Sequence, residues 1–272
     1  MAELTQALWI QSVQQLRGSG IESAEADATA IFVEVLAAPR FLWPLETPRV
    51  EAEQIRQMVT DRARRRPLQH VLGRMYFLGL ELKAGPGVFC VRPETEYMTD
   101  WALRHLPMRR ALDLCTGSGA IALAIAAKNK IPVKAVELDA RALDYARANG
   151  AALDLEVEWV RGDATAFNPA LGLFDLVVSN PPYIPQRDLP AETDWDPRIA
   201  LWGGGESGMQ IPEQIITVAF QYLRGGGYLV MEHDDTQGKA CAQVANEIGF
   251  EDVEIHRDLA GRERFISARK PG

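Results

Sequence analysis

Cysteine is scarce in this chain. Its three thiols, Cys90, Cys115 and Cys241, cannot all pair with one another, and none forms a CxxC. A disulfide framework and a cysteine-rich zinc site are therefore not expected, and no metal site is predicted. Positive charge is also short: 29 Lys and Arg stand against 37 Asp and Glu, a net charge of −8. A net anion is a poor general binder of phosphate backbones, so a nucleic-acid role would need a local basic patch. No apolar run approaches the ~20 residues that span a bilayer. Met1-Ala2-Glu3-Leu4 lacks the basic start and apolar stretch of a secretory leader. Internal repeats and low-complexity segments are missing too. What is present is ordinary: 272 residues, 47% hydrophobic and 24% charged, enough for one large or two modest domains with a real core. A soluble, cytoplasmic protein is expected.

The first third reads as helical. Leu8, Trp9, Val13 and Leu16 recur at helical spacing until Gly18-Ser19-Gly20, and Ala28, Ile31, Phe32, Val35 and Leu36 form a second stripe before Pro39. A third helix is predicted from Thr47-Pro48, read as an N-cap with proline at the first helical position, with Val50, Ile55, Met58 and Val59 facing inward. It ends in the run Arg62-Ala63-Arg64-Arg65-Arg66-Pro67. That run reads either as an RNA or ribosome contact or as a solvated helix end complementing the macrodipole; the second is preferred. Between Val71 and Val91, Tyr76–Leu82 and the turn Gly85-Pro86-Gly87 predict a short β-hairpin.

After Arg110, strands alternate with amphipathic helices. Strands are predicted at 111–114, 133–137, 157–160, 174–179, 227–232, 253–256 and 265–268, and helices at 120–127, 140–148, 212–223 and 239–248. This is the signature of right-handed βαβ units and a mostly parallel sheet covered on both faces, so the fold class is α/β. The two closely spaced strands at the end suggest an antiparallel pair at or near one edge.

Leu112–Ala122 is a strand, a glycine loop and a helix start. Glycine lets the backbone approach a ligand, and helix N–H groups lie beyond it. Gly117-x-Gly119-x-x-Ala122 fits a dinucleotide fingerprint, and Glu137 lies at the expected ~20-residue distance for a ribose contact. A bare strand–helix turn would need the glycines but gives no reason for an acid at the end of the next strand. The Asp163 carboxylate after Gly162 is either an acceptor for an exocyclic adenine amine or only a turn residue.

The buried-strand pattern Phe174–Ser179 runs into Asn180-Pro181-Pro182-Tyr183. Two prolines hold Asn180 and Pro181 extended and delete backbone donors. The corner therefore presents acceptors, the Asn180 side-chain carbonyl and the Pro181 backbone carbonyl, with Tyr183 as an aromatic face. Together these suit a planar group bearing an NH2. Accepting the hydrogens of such a nitrogen keeps electron density on it and aims its lone pair, without a strong base. An adenosine-containing methyl donor beside a planar amine is consistent with S-adenosylmethionine, leaving S-adenosylhomocysteine as product. A hydride-transfer enzyme has no use for such a clamp.

The chain resembles the HemK-type (PrmC) protein-glutamine N5-methyltransferases that modify peptide-chain release factors. The resemblance runs over essentially the whole length. It is carried by Pro67–Gly73, Gly87–Glu96 with its Arg92-Pro93-Glu94-Thr95-Glu96, Asp113–Ala122, Asn180–Tyr183, Asp196–Leu201 and Gly261–Arg264. It implies a small helical partner-binding domain over 1–70, a hairpin linker over 71–95, and a seven-stranded, Rossmann-like methyltransferase domain over 96–272. It implies donor contacts from Cys115, Thr116, Gly117, Ser118, Gly119, Glu137, Asp163, Ala164 and Asn180. Phe89, Arg92 and Glu94 would lie over the active site, Glu94 as a polar lid contact and Arg92 in a structural role. Asn180, Pro181, Pro182 and Tyr183 would bind the glutamine of the release factor's Gly-Gly-Gln loop. The partner implied is thus a release factor, met by a monomer without direct nucleic-acid binding.

Four departures stand out: the family usually has glycine at Cys115, aspartate at Glu137, often an aromatic at Ala164, and a glycine-containing turn at Glu232–Asp235. His233, a lone histidine after a strand, is read as structural. The alternatives are methylation of a ribosomal-protein glutamine, adenine-N6 methylation of DNA or RNA, a chemistry that shares the Asn-Pro-Pro-Tyr motif, and a donor-binding protein without catalysis.

Overall fold

The computed structural model describes residues 2–187, 189 and 191–272. The chain divides into two compact units, Met1–Met75 with Ala84–Pro86 and Pro190–Trp195, and Tyr76–Lys83 with Gly87–Leu189 and Asp196–Gly272.

The first unit opens with β1 (Glu3–Leu4) and α1 (Thr5–Gly18), followed by α2 (Ala24–Leu36), β2 (Glu46–Thr47), α3 (Arg49–Ala63) and α4 (Leu68–Leu72). Leu8, Val13, Leu16, Ala28, Ile31, Phe32, Ile55 and Val59 form its core, which is the face their helical spacing marks out. The start of α3 differs from the sequence expectation. Thr47 is not a cap: it sits in β2, antiparallel to β1, with its Oγ1 2.8 Å from Thr5 Oγ1. Pro48 is the N-cap instead, and the helix begins at Arg49. With Ala52, Ile55 and Val59 inward, Val50 falls on the opposite face and is 77% exposed. The arginine run also differs. Arg62 is buried and donates from Nε to Asp27 Oδ2 at 2.6 Å, and Arg66 pairs with Asp61 at 3.2 Å.

A hairpin follows, β3 (Arg74–Phe77) and β4 (Leu80–Lys83), turning at Leu78 and Gly79, both at positive φ. In the second unit come α5 (Pro93–His105), β5 (Ala111–Leu114), α6 (Ala120–Asn129), β6 (Val133–Glu137), α7 (Ala140–Leu153), β7 (Glu158–Arg161) and β8 (Phe174–Ser179). The unit continues with α8 (Gln210–Tyr222), β9 (Leu223–Glu232), α9 (Gly238–Ile248), β10 (Glu251–Arg257) and β11 (Glu263–Arg269).

The seven-stranded sheet has the order β10-β11-β9-β8-β5-β6-β7. Strands β9, β8, β5, β6 and β7 are parallel, while β11 runs antiparallel between β9 and β10. The antiparallel pair expected from the closing residues is therefore present, with β10 at the edge. Leu112, Leu114, Phe174, Val177, Leu229 and Ile266 pack under α8 and α9 in the core. Winding reverses between β5 and β8, so a crevice opens at their carboxyl ends. Cys115, Glu137, Asn180 and Glu232 all stand where a strand reaches that edge. No described helix is long and apolar enough to cross a membrane.

Candidate active site

Three elements shape the crevice. The loop after β5 passes through left-handed backbone at Cys115, Gly117 and Gly119. Asp113 braces it from below: fully buried, its Oδ2 accepts from Thr116 Oγ1 at 2.5 Å and from the Ala122 N–H at 3.1 Å. Burial pushes this carboxyl up to about 7, against the pull of those two donors. Gly119 caps α6, and a Cβ there would meet Trp159 Cη2 at 2.8 Å. Gly117 is different. A Cβ there would meet nothing within 4 Å, because the residue faces the cleft.

The second element is the acid at the end of β6. Glu137 Oε2 accepts from the Gly117 N–H at 2.8 Å and Oε1 from the Asp139 N–H at 2.9 Å. Burial raises this carboxyl, and the two backbone donors oppose the rise. The extra methylene relative to aspartate lets Glu137 hold the loop while lining the cleft. After β7, Asp163 Oδ1 accepts from the Thr165 N–H at 2.9 Å and hydroxyl at 2.6 Å, and among the described residues no group donates to Oδ2.

The third element is the proline corner after β8. Asn180 Nδ2 donates to Thr95 Oγ1 at 2.9 Å, while no described group donates to its Oδ1. The backbone of Tyr183 is fixed from two sides. Gln237 Nε2 donates to its carbonyl at 2.7 Å, and Gly203 packs so closely that a Cβ there would lie 2.7 Å from Tyr183 Cα.

These elements line a cleft that opens to solvent. Of the residues expected at the site, Phe89, Cys115, Thr116, Gly117, Ser118, Glu137, Asp163, Ala164, Asn180 and Pro182 line it. Gly119, Arg92, Glu94, Pro181 and Tyr183 are not on its wall, each for a physical reason. Gly119 is packed under Trp159. Arg92 Nη2 donates to the buried Asp196 Oδ2 at 2.7 Å, a structural pairing, and Glu94 pairs with Arg262 at 3.4 Å and Arg264 at 3.7 Å. Pro181 is buried. The Tyr183 ring turns its hydroxyl to Glu232 Oε1 at 2.8 Å, so it does not present a flat face to the cleft. Cys115 lines the cleft without blocking it, and burial with the neighbouring Glu137 and Asp113 pushes its thiol up. His233 is buried, donates from Nδ1 to the Asp234 carbonyl at 2.8 Å, and is held below its ordinary pKa by burial.

Sequence reasoning missed the roles of Thr95, Asp113, Glu232 and Gly203. One signal was available: Glu232 is an acid closing an otherwise apolar strand end, Leu229-Val230-Met231. Among the described residues no cluster of His, Cys, Asp and Glu could hold a metal ion.

Residues 7–73 match the PrmC N-terminal domain family and residues 79–195 the methyltransferase small domain family. The release factor glutamine methyltransferase of Streptomyces coelicolor is 41% identical over 278 residues, covering 96% of each chain. That of Mycobacterium tuberculosis is 40% identical, covering 94% of this chain and 88% of its own. The chain belongs to the release factor glutamine methyltransferase family. The Corynebacterium glutamicum member is 43% identical over 224 residues, 78% of this chain and 79% of its own. Among solved structures, a Pyrococcus furiosus methyltransferase superposes with TM-score 0.57 at 20% identity, covering 72% of this chain and 91% of its own. The Thermus thermophilus 16S rRNA N2 G1207 methyltransferase, solved with AdoMet and guanosine, gives 0.54 at 21% identity, covering 72% and 49%. Both likenesses extend the family's methyltransferase fold to this sheet.

Proposed function

We propose that this release factor glutamine methyltransferase family member transfers a methyl group from S-adenosylmethionine to the side-chain nitrogen of the glutamine in the Gly-Gly-Gln motif of class-one release factors. The observation that carries this reading is Asn180. Its amide nitrogen is taken by Thr95, so its oxygen is left as an acceptor on the wall of the cleft that also holds Glu137.

The residues present suit the donor. A Cβ at Gly117 would enter the cleft, so the glycine keeps a cradle open. Glu137 carries two backbone hydrogen bonds but a carboxylate has about four acceptor sites, which leaves capacity for ribose hydroxyls. Asp163 Oδ2 is open to an exocyclic amine. When bound, the donor supplies an already activated sulfonium methyl. Asn180 Oδ1 accepts a hydrogen of the substrate carboxamide, which holds the nitrogen lone pair in one direction; the Pro181 carbonyl, expected for the second hydrogen, is off the cleft wall. Transfer would leave S-adenosylhomocysteine as the S–CH3 bond breaks and N–CH3 forms, and the methylated nitrogen would release one of its two protons to water in the open cleft, with no described side chain placed as its base. Positioning and fixed dipoles carry the rate.

The helical residues 1–70 supply affinity for the release factor, residues 71–95 link, and 96–272 do the chemistry. As the substrate is a translation factor, the reaction belongs in the cytoplasm. Nucleic-acid methylation finds less support: of the run Arg62–Arg66 that keeps that alternative open in the sequence, Arg62 is buried against Asp27 and Arg66 pairs with Asp61.

Purified protein incubated with methyl-labelled donor should label a release factor and leave duplex DNA, single-stranded RNA and ribosomal proteins unlabelled. Label on nucleic acid alone would overturn the reading.

A further inference from the structure

Helix α7 turns a buried face of small residues toward the glycine loop after β5. Ala142, Ala146, Asn149 and Gly150 share that face at helical spacing. The fit is close: a Cβ at Gly119 would lie 3.2 Å from Ala146 Cβ. Asn149 is the one buried residue of α7 with a polar side chain, and it is 1% exposed. A buried amide on an apolar face is costly unless its hydrogen bonds are met. Here backbone meets them from two sides. Asn149 Nδ2 donates to the Ser118 carbonyl at 3.0 Å and, more weakly, to the Lys83 carbonyl at 3.5 Å, while Oδ1 accepts from the Lys83 N–H at 2.7 Å. A backbone carbonyl only accepts and an N–H only donates, so these partners allow the amide one orientation.

Ser118 belongs to the stretch Thr116-Gly117-Ser118 that forms one wall of the cleft, whereas Asn149 stands behind it and off the wall. The other bonds of this loop run to the strands or to the loop itself. The Thr116 N–H donates to the Val136 carbonyl at 3.1 Å, the Gly117 N–H to Glu137 Oε2 at 2.8 Å, and the Gly119 N–H to the Thr116 carbonyl at 2.9 Å. Asn149 adds the tie to α7 and fixes the peptide between Ser118 and Gly119 from its carbonyl end. With glycine at 117 and 119, this loop has more backbone freedom to lose than most. A loop ordered before its ligand arrives gives up less on binding.

We infer that Asn149 is a positioning residue for the methyl donor: by holding the Ser118 carbonyl from behind, it keeps the loop in place before S-adenosylmethionine arrives and so sets donor affinity. The inference rests on that donor occupying the cleft, and not on the identity of the methyl acceptor.

The test uses the full chain in two measurements: amide hydrogen exchange without ligand, and calorimetric titration with S-adenosylmethionine. A wild type that does not bind the donor would overturn the donor reading itself and this inference with it, whatever the variants do. With a binding wild type, Asn149→Ala and Asn149→Leu should each speed exchange at the Gly117 and Gly119 amides and weaken donor binding about tenfold, the scale of one hydrogen bond. Leucine nearly keeps the volume, so an effect shared by both variants belongs to the lost hydrogen bonds and not to a cavity. Either variant also lowers the thermal midpoint, because backbone groups lose a partner. Ile266→Ala separates the two effects: it lies in the core on β11, three strands from β5. It should lower the thermal midpoint while leaving loop exchange and donor Kd near wild type. Wild-type donor Kd in both Asn149 variants, unchanged exchange at Gly117 and Gly119, or an equal loss of donor affinity in Ile266→Ala would each overturn the inference.

Discussion

Glu137 and Gly117 are joined by a 2.8 Å hydrogen bond from the loop N–H to the carboxylate, and the same carboxylate reaches the Asp139 N–H at 2.9 Å. The end of β6 and the loop after β5 are thereby one piece. Whatever the loop holds, Glu137 holds with it.

That coupling separates two glycines that look alike in the sequence. Gly117→Ala adds a Cβ in open space but at left-handed backbone, so it should cost about 1–2 kcal/mol of stability while weakening donor binding at least tenfold. Gly119→Ala drives a Cβ to 2.8 Å from Trp159 and 3.2 Å from Ala146. It carries the same left-handed strain and should cost about 1–3 kcal/mol of stability beyond Gly117→Ala. Thermal unfolding and calorimetric donor titration on both variants would check the pair; equal stability losses would contradict it.

Asp113 predicts a pH dependence of stability. Burial pushes its carboxyl up to about 7 in the folded chain, against an ordinary value of 3.8. Between those values the folded state holds a proton that the unfolded state has released. Its contribution to stability is therefore largest at low pH, declines as pH rises through about 4 to about 7, and is flat above. The wild type minus Asp113→Asn difference in unfolding free energy should fall by on the order of 4 kcal/mol across that window. Denaturant unfolding at a series of pH values measures it, and a difference that rises with pH would contradict the assignment.

The Arg62–Asp27 pair, with side chains 10% and 7% exposed, predicts a third outcome. Arg62→Ala leaves Asp27 as a buried, unpaired charge and should cost about 3–5 kcal/mol. Replacing both with apolar residues, as in Arg62→Met/Asp27→Leu, should recover most of that loss. Thermal unfolding of the single and double variants decides it. A surface arginine awaiting RNA would show neither effect.

Asn180→Ala should lower turnover by about 10²–10³-fold while donor affinity changes only a few-fold, since its main task is to orient the acceptor amide. Steady-state rates beside donor titration provide the check. A donor affinity that fell as far as turnover would place Asn180 on the donor instead.

Much of this was legible in the residues. The alternation after Arg110 marked the sheet, and glycine spacing with Glu137 marked the loop, because both are local patterns. The proline corner was legible because proline restricts its own neighbours. Hidden were contacts between distant residues. Tyr183 faces Glu232 rather than the cleft because a buried carboxylate needs a donor, and that donor lies 49 positions away. Thr95 and Asn180 are 85 positions apart. Thr47 looked like a cap because nothing local announced that the two-residue β1 would pair with it.

The central claim is that the cleft wall at Asn180 receives a carboxamide. The measurement that tests it most directly is tandem mass spectrometry of a release factor after incubation with S-adenosylmethionine and either wild type or Asn180→Ala. The account predicts one methyl on the side-chain nitrogen of the Gly-Gly-Gln glutamine with wild type and a trace with the variant. A methyl on any other residue, or none with an enzyme that binds the donor, would contradict it.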